Sequence, residues 1–190
     1  PFHTVKERGA HRMNPASLSP FLAGLFPPDV VGAELRMAGG PSLLFPDEAR
    51  DLGRAVPARI QEFTAGRLSA RRALAEFGFA DFPLRMNDDR RPRWPATVVG
   101  SITHTAGFCG AVVAQRRQYL AIGLDTEIVG RVTPEIWQTI CTPEEASWLH
   151  ALGEPEQSRC AALVFSAKES FYKCQYGVTR QWLEFDDVTL

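Results

Sequence analysis

Apolar and polar residues alternate along the chain with two different periods, and these periods predict its secondary structure. Apolar positions spaced by three and four residues indicate helices, whereas short apolar runs between turn residues indicate strands. The pattern predicts helices over 15–26, 46–53, 57–77, 134–140, 143–152 and 156–176, and strands over 30–37, 98–103, 108–115, 119–125 and 183–189. Because the links among the three central strands are short, we expect them to form an antiparallel meander.

A charged residue interrupts the apolar stripe of the predicted helix 57–77. Arg67 stands in line with Phe63, Ala70 and Leu74, and Arg59 lies two turns earlier near the same face. A charge on such a face needs a partner. Salt bridges to carboxylates at the edge of the core would meet that need. So would an anion such as phosphate, which guanidinium groups bind through two parallel hydrogen bonds.

Glu169 interrupts the stripe of the predicted helix 156–176 in the same way. Lys173 follows four residues later, and an ordinary surface pair at this spacing is worth about 0.3–0.5 kcal/mol. Such a pair does not explain a polar residue in the stripe, so a position at a cleft is the alternative. The chain contains 18 arginines and only three lysines, of which Lys168 and Lys173 are five residues apart.

Two carboxylates, Asp125 and Glu127, follow the apolar run 119–125. In an extended chain both point to the same side, where they repel each other unless a cation or an arginine lies between them. A solvated turn is the ordinary explanation of such a pair. Together with Glu169, however, the pair offers three oxygen ligands, a set that suits Mg²⁺ better than zinc.

Thr103 and His104 end the predicted strand 98–103, directly after an apolar run. A histidine in this position is either a capped or solvent-facing residue or a functional one. In the functional case its imidazole and the neighbouring hydroxyl would contact phosphate oxygens.

Composition limits the class of protein further. The chain is 45% hydrophobic and 23% charged with a formal net charge of −1, which excludes a disordered chain and argues against extensive nucleic-acid binding. Its four cysteines form no C-x-x-C pair, and no apolar run reaches the roughly 18 residues of a membrane span. We therefore expect a soluble, cytoplasmic protein with reduced thiols.

Taken in order over residues 57–188, these motifs resemble the Sfp-type 4′-phosphopantetheinyl transferases, and in particular the enterobactin-synthase and mycobacterial-type branch. GLDTE at 123–127 resembles the family's G-(I/V)-D-x-E, and FSAKESFYK at 165–173 resembles its (F/W)-(S/C)-x-K-E-(A/S)-x-x-K. The helix around Arg67, the segment RPRWP at 91–95 and GSITH at 100–104 precede them. The second signature also accounts for the spacing of the two lysines.

The resemblance implies an α+β fold of two similar α/β lobes with pseudo-two-fold symmetry and coenzyme A (CoA) in the cleft between them. The corresponding divisions are 1–12, an extraneous remnant or disordered N-terminus; 13–115, the N-terminal lobe; and 116–190, a C-terminal lobe lacking its last strands. The resemblance further implies Mg²⁺-dependent transfer of the 4′-phosphopantetheine arm of CoA to a serine of an apo acyl- or peptidyl-carrier protein, with release of 3′,5′-ADP. Such an enzyme would serve nonribosomal-peptide, polyketide or siderophore synthesis as a monomer, with no nucleic-acid or membrane partner.

The resemblance also implies a role for each candidate residue. Mg²⁺, with Mn²⁺ as a substitute, would be held by Asp125, Glu127 and Glu169. CoA would be bound by Arg59, Arg67, Arg90, Arg91, Thr103, His104, Lys168 and Lys173. Among these CoA contacts, Arg59 and Arg67 would grip the 3′-phosphate, Arg90 or Arg91 would lie along the adenine, and the threonine, histidine and lysines would contact the other phosphates.

Three of these residues, Asp125, Glu169 and Lys173, would also be catalytic. Glu169 would act as the general base, with a metal-bound water as the equal alternative because a metal-bound carboxylate is a poor base. Lys173 would assist departure of 3′,5′-ADP. Two other functions stay open on the residues alone: an Mg²⁺-dependent nuclease or phosphodiesterase, and a non-catalytic module that binds CoA or a carrier protein.

Overall fold

Helices and one small antiparallel sheet make up the residues that the computed structural model describes, which are 20–22, 24–36 and 40–190. The elements in chain order are β1 (Val31–Leu35), α1 (Pro46–Leu52), α2 (Pro57–Ala75), β2 (Val98–Thr105), β3 (Phe108–Gln115), α3 (Pro134–Ile140), α4 (Pro143–Ala151) and α5 (Glu156–Thr179). Short 3₁₀ turns lie at Pro41–Leu43 and Phe185–Asp187. The predicted α+β class is confirmed.

The sheet has the strand order β1-β3-β2, and both neighbours of β3 run antiparallel to it. β3 is buried from Cys109 to Ala114 because both faces of the sheet are covered. On one face Ala70 and Leu74 of α2 pack against the strands. On the other face the strands meet Ile122 and Leu124. A strand covered on both sides reads as an unbroken apolar run, as this one does.

The meander predicted over 98–125 is wrong in its third strand, because the third member of the sheet is β1. Residues 120–128 form no ladder with β2. They run beside it and bond to its side chains instead: the backbone N–H of Leu124 donates to Ser101 Oγ at 3.0 Å, and that of Thr126 to Thr103 Oγ1 at 3.0 Å. The apolar run at 119–125 is therefore held beside β2 by side-chain hydroxyl groups and not by backbone pairing.

The strand predicted over 183–189 is also wrong. This segment turns back on itself, with the N–H of Glu184 donating to Asp187 Oδ2 at 2.9 Å. Phe185 packs against Phe165 of α5 at 5.4 Å between ring centroids. Residues 119–190, all of which are described, contain helices and no strand. The two halves of the described chain therefore differ in element order.

Most predicted helices are confirmed, and α5 extends three residues beyond its predicted end. The described part of the predicted helix 15–26 forms turns, and its remaining residues lie outside the described ones, as do residues 1–12 and the end of the strand predicted over 30–37. A separate core around Trp137, Leu149 and Ala161 joins α3, α4 and α5. No helix among the described residues has the length and apolar character needed to cross a membrane.

Candidate active site

A cleft of about 550 Å³ opens between α2 and β2 on one side and the C-terminal end of α5 on the other. The loop at 87–94 and residues 120–122 close its remaining walls. This volume falls in the usual range for sites that take a small molecule or cofactor.

The walls of the cleft are strongly cationic. Eight basic side chains line it, namely Arg59, Arg67, Arg90, Arg91, Arg93, Arg116, Arg180 and Lys173. Only two carboxylates, Glu62 and Asp89, share the same described lining. In a chain whose net charge is −1, this concentration of positive charge favours a ligand that carries several negative charges.

Arg67 is buried beside the cleft and contacts a backbone carbonyl and an aromatic ring rather than a carboxylate. Its side chain is only 5% exposed, with Nε donating to the carbonyl oxygen of Leu84 at 2.7 Å and the guanidinium 4.0 Å from the ring centroid of Phe63. Burial lowers the pKa of Arg67 to about 10, and the fields of Glu48 and Asp51 only partly oppose it. None of the ion pairs among the described residues includes Arg67. The salt-bridge alternative therefore does not hold for this residue.

Arg59 and His104 meet at one end of the cleft. Arg59 Nη1 lies 3.5 Å from His104 Nε2, and Glu62 contacts both residues at 3.7 and 3.9 Å. Burial lowers the pKa of His104, and the charge of Glu62 only partly offsets that shift. The imidazole is therefore mostly neutral at pH 7 and can donate one hydrogen bond to an anion.

Asp125 and Lys173 form an ion pair at the edge of the cleft. Lys173 Nζ lies 2.6 Å from Asp125 Oδ1 and 3.9 Å from Glu169 Oε2. Thr103 Oγ1 donates to the same Asp125 oxygen at 3.3 Å. The other oxygen, Asp125 Oδ2, is buried and has no hydrogen-bond partner among the described residues. A buried carboxylate oxygen without a partner is unusual, and its chemistry suits a cation or a hydrogen-bond donor.

A close approach of the backbone holds this cluster together. A Cβ atom on Gly123 would stand 1.9 Å from the carbonyl oxygen of Ser170 in α5. Only glycine allows residues 123–127 to lie so near the helix. The contact brings Asp125 to the turn of α5 that carries Glu169 and Lys173.

The three predicted metal ligands influence one another electrostatically. Burial raises the pKa of Glu127, and the charge of Asp125 raises it further. The pKa of Glu169 is raised in the same way, by burial and by Asp125, against the opposing effect of Lys173. Within the described residues no three side chains of metal-binding type converge closely enough to form a ready coordination site. The unpartnered Asp125 oxygen and the mutual repulsion of the carboxylates nevertheless fit a divalent cation.

Lys168 is not brought to the cleft, unlike Lys173, so the expected contact with phosphates finds no support in its position. Its side chain is only 1% exposed, and Nζ lies 2.6 Å from Glu145 Oε2. Nζ also donates to the carbonyl oxygen of Phe185 at 2.9 Å. A lysine with this burial and these partners is occupied in the interior, which the motif spacing alone cannot reveal.

Arg90 and Arg91 lie in the tight turn of the loop at 87–94. Arg90 has a φ of +65°, and its N–H donates to the carbonyl oxygen of Asn87 at 2.8 Å. The Arg91 guanidinium pairs with Asp89 at 2.6 Å and lies 5.2 Å from the ring centroid of Tyr176 in α5. Both arginines line the cleft from this turn.

Several lining residues were not among the sequence candidates. Tyr172 and Tyr176 belong to the same stripe as Glu169, so the stripe itself was the available signal that this face of α5 borders a cleft. Trp94 lies against β2, where a Cβ on Gly100 would approach its ring to 2.7 Å. The other cleft residues outside the predicted set include Arg93, Arg116, Arg180 and Trp182.

Two family models match the chain. The 4′-phosphopantetheinyl transferase N-terminal domain matches residues 47–114, and the 4′-phosphopantetheinyl transferase superfamily matches residues 121–190. The first match covers α2, β2 and all of β3 except Gln115, and the second covers the carboxylate cluster and α5.

Curated relatives agree with these models. The chain is 40% identical over 150 residues to the 4′-phosphopantetheinyl transferase Svp of Streptomyces mobaraensis, covering 78% of this chain and 61% of that protein. It is 34% identical over 143 residues to PptT of Mycobacterium tuberculosis, covering 75% and 63%. It is 31% identical over 164 residues to Npt of Nocardia iowensis, covering 86% and 73%.

The matched region spans 61% and 63% of the first two of these relatives, and 73% of the third. The two family models and the three relatives all carry the same family name. The chain belongs to the 4′-phosphopantetheinyl transferase superfamily.

Proposed function

We propose that the chain transfers the 4′-phosphopantetheine arm of CoA to a serine of an apo acyl- or peptidyl-carrier protein. The serine oxygen bonds to the phosphorus that carries the pantetheine, the P–O bond of the pyrophosphate breaks, and 3′,5′-ADP leaves. The serine proton passes to a base. The observation that carries the proposal is Lys173, which lines the cationic cleft and also contacts both Asp125 and Glu169.

The cationic wall accounts for CoA as the co-substrate. Arg67, buried and without a carboxylate partner, would bind the 3′-phosphate together with Arg59. Arg90 or Arg91 would lie along the adenine, since a guanidinium stacks well on a flat aromatic system. Three phosphate groups in one ligand would offset the excess of positive charge in the cleft.

The pyrophosphate would lie where the cleft meets the carboxylate cluster. His104, neutral at pH 7, and Thr103 would donate hydrogen bonds to its oxygens. Lys173 would stabilise the negative charge that develops on the leaving 3′,5′-ADP, since fixed positive groups at such a position lower the barrier of phosphoryl transfer. Asp125 holds the lysine in place for that role.

Glu169 would accept the proton of the attacking serine. Burial raises the pKa of Glu169 in the metal-free chain, but a bound cation would lower it again, so a water molecule that relays the proton is the equal alternative to Glu169 as the direct base. Asp125, Glu127 and Glu169 would hold Mg²⁺ or Mn²⁺, which would neutralise charge on the pyrophosphate.

The proposal extends to the organisation of the molecule. Residues 13–115 and 116–190 would be an N-terminal and a C-terminal lobe, with CoA in the cleft between them; the expected pseudo-two-fold symmetry does not extend to element order, because residues 119–190 form helices and no strand. The enzyme would act as a monomer in the cytoplasm. Cleft-lining residues from both sides of the boundary, such as Arg67 and Tyr176, support a ligand that bridges the two parts.

Incubation with CoA, Mg²⁺ and an apo carrier protein tests the proposal, with intact mass spectrometry of the carrier as the readout. We expect the carrier to gain one phosphopantetheine and an equal amount of 3′,5′-ADP to appear. A carrier whose acceptor serine is changed to alanine is the control. Binding of CoA without any gain in carrier mass across a panel of apo carriers would favour a non-catalytic module instead.

A further inference from the structure

A buried ion pair beneath the C-terminal segment has no part in the proposed chemistry. Lys168 is only 2% exposed as a residue and Glu145 only 6%. Their charged atoms are 2.6 Å apart, although the two residues are 23 positions apart in the chain. Such a pair is costly to desolvate, so its presence calls for a reason beyond stability alone.

Glu145 links three parts of the molecule through its two oxygens. Oε2 accepts from the backbone N–H of Thr142 at 2.8 Å and from Lys168, whereas Oε1 accepts from the backbone N–H of Leu190 at 2.9 Å. Burial alone would raise the pKa of Glu145, but these hydrogen bonds outweigh it and lower the pKa. The carboxylate therefore stays ionised and joins the start of α4, the middle of α5 and residue 190.

Lys168 makes the second attachment to the same segment. In addition to Glu145, its ammonium donates to the carbonyl oxygen of Phe185 at 2.9 Å. The segment 182–190 is thus fastened at Phe185 and at Leu190 to one buried pair. Its own internal structure is a single 3₁₀ turn, so its position depends on these two attachments together with the packing of Phe185 against Phe165.

The segment forms one wall of a small apolar pocket of about 100 Å³ against α5. Glu169 lines that pocket, one residue after Lys168 on the same helix. Rotation of α5 would therefore displace the Glu169 carboxylate, and release of the segment would remove one wall of the pocket that Glu169 lines.

We propose that Lys168, through its ion pair with Glu145, is a positioning residue that fixes Glu169 and segment 182–190 and does not bind CoA phosphates. The inference rests on the proposed function for the role of Glu169, but the ion pair and its attachments do not depend on that role. It assigns the two lysines of the signature to different tasks. Lys173 faces the ligand, and Lys168 holds the helix.

Removing one charge and removing both charges distinguish this role from a phosphate contact. Lys168→Met leaves the Glu145 carboxylate buried without its counter-charge, which is strongly unfavourable, whereas Lys168→Met/Glu145→Gln leaves no uncompensated charge. A phosphate ligand would be missing equally from both variants. If the pair has a positioning role, Lys168→Met should disturb α5 and the segment, because the Glu145 charge is left unpaired. The double variant should disturb them much less, because no unpaired charge remains.

Three measurements on the full chain follow: the Kd of CoA by calorimetry, kcat for carrier loading, and hydrogen–deuterium exchange of residues 182–190. For Lys168→Met we expect faster exchange of the segment, kcat at least about tenfold lower and a CoA Kd within about threefold of the original. The double variant should recover part of the segment's protection, since the hydrogen bond to the Phe185 carbonyl stays absent, and should come within about threefold of the original kcat. Lys173→Met is the matched control, and it should weaken CoA binding without changing exchange of the segment.

A CoA Kd that weakens tenfold or more in Lys168→Met and does not recover in the double variant would overturn the proposal in favour of a phosphate contact. Unchanged exchange and kcat in a folded Lys168→Met protein would overturn it as well. If Lys168→Met does not fold, the CoA Kd of the double variant decides between the two roles. If the original chain loads no carrier, the proposed function fails, while the exchange measurement still tests the ion pair.

Discussion

Lys173 and Asp125, 48 positions apart in the chain, are joined by a 2.6 Å contact between Nζ and Oδ1. The contact brings the end of the apolar run 119–125 against α5. It also leaves Asp125 Oδ2 buried without a hydrogen-bond partner among the described residues. Lys173 thus pairs with one oxygen of the Asp125 carboxylate, and we expect a cation to bind the other oxygen.

The first prediction concerns this carboxylate. Asp125→Asn keeps the size of the side chain but removes its charge, so both the cation and Lys173 lose their partner. We expect carrier loading to fall at least about a hundredfold, the scale of losing one major electrostatic contribution to a transition state. Initial rates from carrier mass spectra measure it, with Asp186→Asn on an exposed turn as the control. Turnover close to that of the original chain would contradict a role for Asp125.

The second prediction concerns Arg67. If it binds the 3′-phosphate, Arg67→Ala should weaken CoA binding by about 10- to 100-fold, since a hydrogen bond to a charged group is worth about 1.5–3 kcal/mol. Dephospho-CoA, which lacks that phosphate, should bind the original and altered chains almost equally. Calorimetry with both ligands gives the comparison, and Arg72→Ala on the exposed side of α2 is the control.

An equal loss for CoA and dephospho-CoA would rule out the 3′-phosphate as the partner of Arg67. Because Arg67 also bonds the carbonyl oxygen of Leu84, the altered chain needs a thermal melt before the binding data are used. Arg67→Lys is a useful second variant, since a lysine keeps the charge but cannot reproduce the planar fork.

The third prediction concerns Gly123. A methyl group at this position would overlap the carbonyl oxygen of Ser170, so α5 and residues 123–127 must separate. We expect Gly123→Ala to reduce the free energy of unfolding by about 1–3 kcal/mol and to lower carrier loading as Asp125 moves from Glu169. Urea unfolding and initial rates measure the two effects. Gly153→Ala, where a Cβ meets open space, should change neither.

The fourth prediction concerns pH and the carboxyl group of Glu169. Its pKa in the folded chain is raised, mainly by burial, so the folded state holds a proton at pH values where the unfolded chain has lost it. Folding free energy is therefore lost as pH rises through this window, and ionised Glu169 destabilises the folded chain above it. In metal-free buffer at pH 7, we expect Glu169→Gln to raise Tm, and in a separate assay with Mg²⁺ we expect it to abolish carrier loading.

At pH values below the ordinary pKa of glutamate, residue 169 is uncharged in both the original chain and Glu169→Gln. A smaller Tm difference between the two chains at that pH would support the same cause. Glu76→Gln, an exposed change at the end of α2, is the control for a general charge effect. A Tm for Glu169→Gln that is lower than the original at pH 7 would show that contacts of the ionised group outweigh its burial.

The sequence predicted local features well where one residue type decided the outcome. Pro46 and Gly53 bound α1 as expected, and the interruption of the stripe at Arg67 correctly indicated a buried charge without an ordinary place in the core. The stripe at Glu169 likewise marked the face of α5 that borders the cleft and the small pocket. In each case the departure from a simple pattern was more informative than the pattern.

Long-range partners were not predictable in the same way. The apolar run before Asp125 has the composition of a strand, but its backbone is bonded by the side chains of Ser101 and Thr103. The signature predicts that Lys168 contacts phosphate. In the structure its side chain is buried and forms an ion pair with Glu145, 23 positions away. Neither partner can be recognised without the three-dimensional arrangement.

Although β1 has only five residues, it covers one edge of the central strand β3. Val31–Leu35 pairs along the whole central part of β3, and within the described ranges the other strand that pairs with β3 is β2. A shortened chain beginning at residue 47, where the first family match starts, would turn this apolar central strand into an open edge. Exposed apolar edges recruit strands from other molecules. Such a truncation would therefore keep every cleft residue named above and still form aggregates.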